Sequence, residues 1–440
     1  MLSGASLEGI SDEQKTITTS ENIIMSTKEI NQGNLILSDR QRKRLFIASC
    51  VALATTAMVF SVRAAILDDL GAHFQVNKEL VGIFAGKAFL GFAAAILIGG
   101  PLCDSLGMRT LLGVAWVLHV SGVLLTIFAP SYGVLEAATF IVGLGNGLVE
   151  GVINPLAATV YSDQKTHKLN VLHAWWPGGL IIGGLSAYAL TKLGFGWQIK
   201  MVIILIPAVI YGVMIVGQKF PATERVTSGV SAREMFREAL RPMFLLLAFC
   251  MVLTATTELA PNQWMESVLR NIAHTPGILV LVYISGLMFV MRHFAGAIAH
   301  KISPIGLLLG CAVLSAIGLF ALSYAYNAFT AFAAATVFGI GVCYFWPTML
   351  GVTSELFPRG GALLLGLMGA IGNIAVDRAL PLMGSIYDEY GAAQAFRYVT
   401  LAPISLVVIF GAIFVYYKAR GGYRAVKIER GVQGPQVVDP

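Results

Sequence analysis

Apolar and polar positions along this chain alternate on a long scale. Apolar runs are separated by short polar gaps and fall near 45–67, 80–103, 109–129, 132–160, 170–192, 197–218, 242–265, 277–300, 304–324, 327–352, 361–386 and 393–417. At about 1.5 Å per residue, a helix of ~20 residues crosses the ~30 Å hydrocarbon core of a bilayer. Lipid offers no hydrogen bonds to an open backbone, so only helices or closed barrels span it. The runs lack the ~10-residue alternating pattern of barrel strands. They predict an all-α membrane protein with twelve transmembrane helices.

The gaps organise these runs. The longest, 219–241 (KFPATERVTSGVSAREMFREALR), mixes charge with Pro, Gly and Ser and leaves six runs on either side. That division predicts an N-terminal six-helix bundle over 44–218, a central loop over 219–241 and a C-terminal six-helix bundle over 242–417. A cavity is expected between the bundles. The polar segments 1–43 and 418–440 are expected to be tails, the first of them disordered. Residues 1–39 contain no apolar core of a secretory signal. Glycine pairs such as Gly178-Gly179 and Gly183-Gly184 predict close helix–helix approach.

Composition strengthens the membrane reading. The chain is 56% hydrophobic and 12% charged, whereas soluble domains carry about 25% charged residues. The net charge of +6 does not indicate a nucleic-acid partner, because the basic residues sit in the gaps between apolar runs. Most of them, including Arg40, Arg42, Lys43, Arg44, Arg109, Lys165, Lys168, Lys219, Arg241, Lys301, Arg359 and Lys418, fall on the side that holds both tails. Lys78, Lys192, Lys200, Arg270 and Arg397 fall on the other. This bias predicts a multi-pass protein of the plasma or inner membrane with both termini cytoplasmic. The five cysteines lie in or beside apolar runs without CxxC spacing and read as small apolar fillers, with no disulfide or metal site. There is no GxxxxGK[ST] loop and no paired catalytic acids. No cofactor and no enzymatic activity are expected, and the energy for any transport must come from a gradient or from the solute.

Ionisable groups inside the runs carry the functional signal. Arg63, Lys87, Glu150, Glu258, Arg292, Asp377 and Arg378 all lie within apolar stretches. Each charge costs roughly 2.5–3.5 kcal/mol at a helix centre, so these groups should line the cavity or pair across it. Arg63 and Arg292, in separate halves, are open to two roles: contact with an anionic solute, or internal pairing. His119 reads as a packing histidine, and His173 as packing or cavity. Aromatic and amide groups suited to a polyol are available at Asn154, Trp175, Trp176, Asn262, Gln263, Trp264, Tyr283, Trp346 and Asn373. Adjacency allows only one of Trp175 and Trp176 to face the cavity. The segment Asn262–Trp264, near the outer end of its predicted span, is open to a belt or gate role as well.

Gly100-Pro-Leu102-Cys-Asp104-Ser-Leu-Gly107-Met-Arg109, between the second and third runs, fits G-x-L-x-D-x-x-G-x-R at every fixed position. It resembles the loop signature of the major facilitator superfamily, which implies the major facilitator fold and alternating access. Gly100 and Gly107 suit tight turns and close packing, while Asp104 and Arg109 suit charge-assisted contacts with neighbouring helix ends. In the second half the corresponding Gly296-Ala-Ile-Ala-His300-Lys301 has histidine in place of aspartate.

A narrower resemblance runs through Glu150-x-x-x-Asn154-Pro155, Leu169-Asn170, 256–269 (TTELAPNQWMESVL) and 345–373. These segments are similar to the fucose permease branch, the sugar:proton symporters. The resemblance implies proton coupling at Glu150, with Glu258 and Asp377 as further candidates; a structural ion pair with an arginine is the other reading of Glu150. It also implies a small-molecule solute, protons and lipid as partners, and a monomer. The branch carries an aspartate near the end of the first span, whereas this chain has Arg63 there. The expectation is a secondary transporter of a small polar solute, a sugar coupled to protons. The alternative is a carrier or exporter of a small organic anion, using Arg63, Lys87, Arg292 and Arg378. A receptor on a transporter fold is a third reading.

Overall fold

The computed structural model describes residues 37–161, 165–221, 237–292 and 302–426. Its N-terminal half contains α1 (Asp39–Phe74), α2 (Lys78–Leu106), α3 (Met108–Ile127), α4 (Tyr132–Val160), α5 (Lys165–Lys192) and α6 (Trp197–Ile215). The C-terminal half contains α7 (Pro242–Ile272), α8 (Gly277–Arg292), α9 (Pro304–Leu322), α10 (Ala328–Val342), α11 (Phe345–Leu356), α12 (Gly361–Tyr390), α13 (Ala392–Val399) and α14 (Leu401–Ala419). α10 with α11 forms one crossing and α13 with α14 another. Among the described residues ten of these crossings are long and apolar enough to span a membrane, and with α5 and the shorter α8 they make twelve, six in each half, as the apolar runs predict.

Polar caps set where several helices begin. Ser38 closes a capping box with Gln41 at the start of α1, Ser131 accepts from Val134 N at the start of α4, and Asn327 forms a capping box with Thr330 at the start of α10. Each cap satisfies backbone N–H groups that a helix N-terminus leaves free. The capping box corrects the tail expectation at one point: residues 39–43 belong to α1. The rest of that tail, most of the central loop (222–236), the segment 293–301 and the residues after 426 lie outside the described residues.

The tenth crossing, expected as one helix over 327–352, is broken at Cys343 and Tyr344. Pro347 explains the break. It has no N–H to donate back to the Cys343 carbonyl, the bond a continuous helix would make. That carbonyl instead accepts from Arg292 Nε at 3.1 Å, so the break frees an acceptor beside the centre of the molecule. α7 also continues past its expected end at 265 to Ile272, which moves Asn262–Trp264 away from the membrane boundary.

The halves meet along two seams, α2 against α12 and α5 against α8, with α1 against α7 between them. Gly82 and Gly384 make the first seam possible: a Cβ on Gly82 would run into the Leu380 carbonyl, and one on Gly384 into the Lys78 backbone. The hydrogen bonds joining the halves among the described residues run from mid-span to the face opposite the start of α1. There Lys78 Nζ reaches Ser267 Oγ at 3.3 Å while pairing with Asp68 in its own half. We call this the far face, and the opposite one the near face. On the near face, Tyr423 donates to Glu355 Oε2 at 2.6 Å, folding the chain after α14 back onto the end of α11.

Candidate functional site

A cavity lies at mid-span between the halves. Phe60 of α1, Phe89 of α2, and Trp176 and Leu180 of α5 form its N-terminal wall. Glu258, Leu259, Asn262 and Gln263 of α7 face them, with Leu281 and Met288 of α8. The aromatic rings form a continuous surface: Phe60 lies 4.8 Å from Phe89 and 5.4 Å from Trp176 between centroids. Of the two adjacent tryptophans, Trp176 is thus the one that faces inward, and Trp175 is 43% exposed.

Arg63, 5% exposed, does not itself line the cavity but lies against three residues that do, Phe60, Phe89 and Gln263. Its Nε and Nη2 both donate to Gln263 Oε1 at 3.2 Å, across the interface between the halves. Its guanidinium lies 4.9 Å from the Phe60 ring centre and 5.7 Å from that of Phe89. These contacts hold the cation but do not neutralise it: among the described residues, no carboxylate pairs with Arg63 and a neutral amide is its partner. A buried charge without a counterion is costly.

The second half supplies a different group. Glu258 is 2% exposed, and its Oε1 lies 3.6 Å from Arg292 Nη2. The distance is long for a hydrogen bond, and Arg292 spends its Nε on Cys343. The Trp346 backbone N–H lies by the Glu258 carboxylate; among the described residues, Glu258 Oε2 and Asn262 Oδ1, one helical turn later, have no partner at hydrogen-bond geometry. Both residues line the cavity.

Other sequence candidates fall elsewhere. Glu150 accepts from Asn154 Nδ2 at 3.1 Å, and Asn154 Oδ1 lies 2.9 Å from His173 Nε2. This is a separate polar cluster on the near-face side of the cavity; among the described residues its glutamate is held by an amide and pairs with no arginine. His173 is exposed and lies two turns inside α5. Lys87 lies 3.9 Å from Glu136. Asp377, 5% exposed, packs its backbone against Gly86 in the α2–α12 seam and lies 3.4 Å from Arg378.

Trp264 is fully buried against Tyr387, 5.9 Å away, and does not line the cavity. Helical rotation explains this: it follows Gln263 by one residue and points about 100° away. Tyr283 bonds Thr336 at 2.9 Å inside the C-terminal half. Asn373 Nδ2 donates to Gly369 O at 2.8 Å on its own helix. Trp346, beside Gly372, backs the site: its backbone lies next to Glu258. In the loop signature, Gly107 has φ +80°, the turn between α2 and α3, and Arg109 is exposed; the surroundings of Gly100 and of the Asp104 side chain lie outside what is described.

Sequence reasoning misses the apolar lining. Phe60 and Arg63 are three residues apart and share a helix face, a signal available once Arg63 is placed on the cavity side.

Twelve crossings in two halves around a central cavity define a multi-pass membrane protein. The chain belongs to the Major Facilitator Superfamily, whose family model matches residues 45–332. It is 29% identical over 164 residues to the sodium-dependent glucose transporter 1 of Rattus norvegicus, covering 36% of this chain and 33% of that protein. It is 27% identical over 164 residues to the niacin transporter NiaP of Acinetobacter baylyi, covering 36% of each. The chain thus spans about a third of the length of these curated relatives. The fold matches that of the xylose transporter XylE from E. coli in a partially occluded inward open conformation, with a TM-score of 0.70, 12% identity, and coverage of 84% of this chain and 99% of that one.

Proposed function

We propose that the protein is a secondary carrier for a small organic anion, moved through the mid-span cavity by alternating access. The observation that carries this reading is Arg63: a buried guanidinium against the cavity-lining Phe60 and Phe89, held by a neutral amide from the opposite half. An anion bound there would supply the missing counter-charge, and because Arg63 and Gln263 belong to different halves, its arrival and departure would act on their interface. The basic residues on the near face support a cytoplasmic assignment for that side and for both tails, in the plasma or inner membrane. With the far face joined by cross-half bonds, the conformation is then inward-facing. The halves are assigned as 44–218 and 242–417, and the working unit as a monomer.

A second reading, proton-coupled sugar transport, has its own support. Asn262, Gln263 and Trp176 offer amides and a ring to a polyol. The Glu150-x-x-x-Asn154-Pro155 segment resembles the fucose permease branch, and a glucose transporter is among the relatives. Glu150, Glu258 and Asp377 are the carboxylates that would serve it.

Uptake into proteoliposomes separates the two. Radiolabelled aromatic and aliphatic monocarboxylates are expected to accumulate, and Arg63→Gln to lower their uptake by roughly 10- to 150-fold, the value of a charge-assisted hydrogen bond of ~1.5–3 kcal/mol. Accumulation of a sugar with no flux of any acid would overturn the anion reading.

A further inference from the structure

α11 reaches from the cavity to the near face, and both of its ends are held. It begins after the break at Cys343 and Tyr344, where the Trp346 backbone N–H lies by the cavity-lining Glu258. Arg292 reaches the same corner, 3.6 Å from Glu258 Oε1 and bonded to the Cys343 carbonyl at 3.1 Å. Tyr344 donates its hydroxyl to Met291 O at 2.6 Å, which ties the break to α8 as well. Near the other end is Glu355, which follows Trp346 by an axial rise of about 13.5 Å.

The chain after α14 turns back to reach Glu355. Gly421 and Gly422, at φ +87° and +101°, reverse its direction, a conformation that suits glycine. The Gly422 N–H closes the turn on Tyr417 O at 2.9 Å. Tyr423 then packs its ring on Tyr417, 5.4 Å between centroids, and donates its hydroxyl to Glu355 Oε2 at 2.6 Å. Val426 N donates to the Glu355 carbonyl at 2.9 Å. A carbonyl in the last turn of a helix has no donor within that helix, so the tail supplies a partner that α11 lacks.

We propose that residues 421–426 form a strap that clamps the near end of α11 and, through this short helix, steadies the Glu258–Arg292 corner of the cavity. Releasing the strap lets α11 swing about the break, where Pro347 has already removed one intrahelical bond. Phe357, just past α11, packs on Phe244 of α7 at 5.7 Å between centroids. The strap is therefore a second anchor, and its release loosens α11 without detaching it. The device does not depend on which solute the cavity takes.

Cys343, buried at the break, is a native reporter of that motion. The full-length protein is compared with Tyr423→Phe, which keeps the ring and loses the hydroxyl bond, and with a chain ending at Arg420. Mass spectrometry reads hydrogen–deuterium exchange over 348–356 and the rate of N-ethylmaleimide addition to Cys343. Tyr423→Phe is expected to speed both by about 3- to 10-fold, the weight of one hydrogen bond, and the shortened chain by more. Cys250, buried in α7, is expected to keep its rate. If the shortened chain does not fold, Tyr423→Phe alone decides. Cys343 addition unchanged in both variants, even with faster exchange in the last turn of α11, would overturn the proposal. Equal acceleration at Cys343 and Cys250 would overturn it too, as a general loosening of the protein.

Discussion

Asp388 caps the first turn of α2 at Lys78: its carboxylate, from α12 in the other half, accepts from Lys78 N at 3.2 Å and from Glu79 N at 3.0 Å. Asn77 takes the next donor, Leu80 N, at 3.0 Å. The free N–H groups at the start of α2 are thus shared between a cap in its own half and one across the interface. A helix N-terminus also carries partial positive charge, which favours a carboxylate there.

Removing that cap should loosen the far face. Asp388→Ala costs the closed state ~0.5–2 kcal/mol, which multiplies the far-open to far-closed ratio by about 2–30. Spin labels at Leu193→Cys and Tyr326→Cys, exposed far-face positions on opposite halves, report the change as a longer distance population. An unchanged distance distribution would show that Asp388 does not hold this face.

The spans were readable in the sequence because lipid imposes a length and a polarity on every crossing, whatever the tertiary contacts. The site was only partly readable. Arg63 and Glu258 could be nominated from their cost inside a membrane and Gln263 as an amide suited to a polyol, but their partners depend on helix rotation and on which helices meet. Trp264 and Gln263 are adjacent and equally plausible by residue type, yet one packs on Tyr387 and the other lines the cavity. Glu150, read as a proton carrier or an arginine's partner, is held by Asn154. His119, read as a packing histidine, does bond Tyr211 and Asn146 inside the N-terminal half. The broken tenth crossing also had a local signal in Pro347, although its acceptor, taken by Arg292, did not.

The Glu258–Arg292 contact makes a prediction about stability. Arg292→Met leaves Glu258 buried without its cation, a loss of ~3–5 kcal/mol for a buried pair. Glu258→Leu combined with Arg292→Met removes both charges and should recover most of it. Thermal unfolding of the two purified variants checks this. A double variant no more stable than the single one would mean that the pair is not the interaction at stake.

His119 lies fully buried between Tyr211, at 2.9 Å, and Asn146, at 2.8 Å. His119→Leu strands both partners and should cost ~1–3 kcal/mol. The network sits away from the cavity lining, so the transport KM should stay within about threefold of wild type, since a lost solute contact would cost a tenfold change per ~1.4 kcal/mol. A large KM change with unaltered thermal stability would assign His119 to the solute path instead.

Arg63→Lys separates charge from shape at the centre of the molecule. Arginine places two donors of one planar fork on Gln263 Oε1 and lays its face by Phe60 and Phe89. Lysine keeps the positive charge but offers a compact ammonium without that fork. If Arg63 binds an anion, Arg63→Lys should keep measurable anion binding, about tenfold weaker, while Arg63→Gln loses it. If Arg63 serves only to join α1 to α7, both variants should lower thermal stability and leave anion affinity alike, since neither restores the two bonds to Gln263. Isothermal titration with a benzoate-class acid, run beside thermal unfolding of the same samples, distinguishes these outcomes. Equal anion affinity in wild type, Arg63→Lys and Arg63→Gln would remove Arg63 from the solute site.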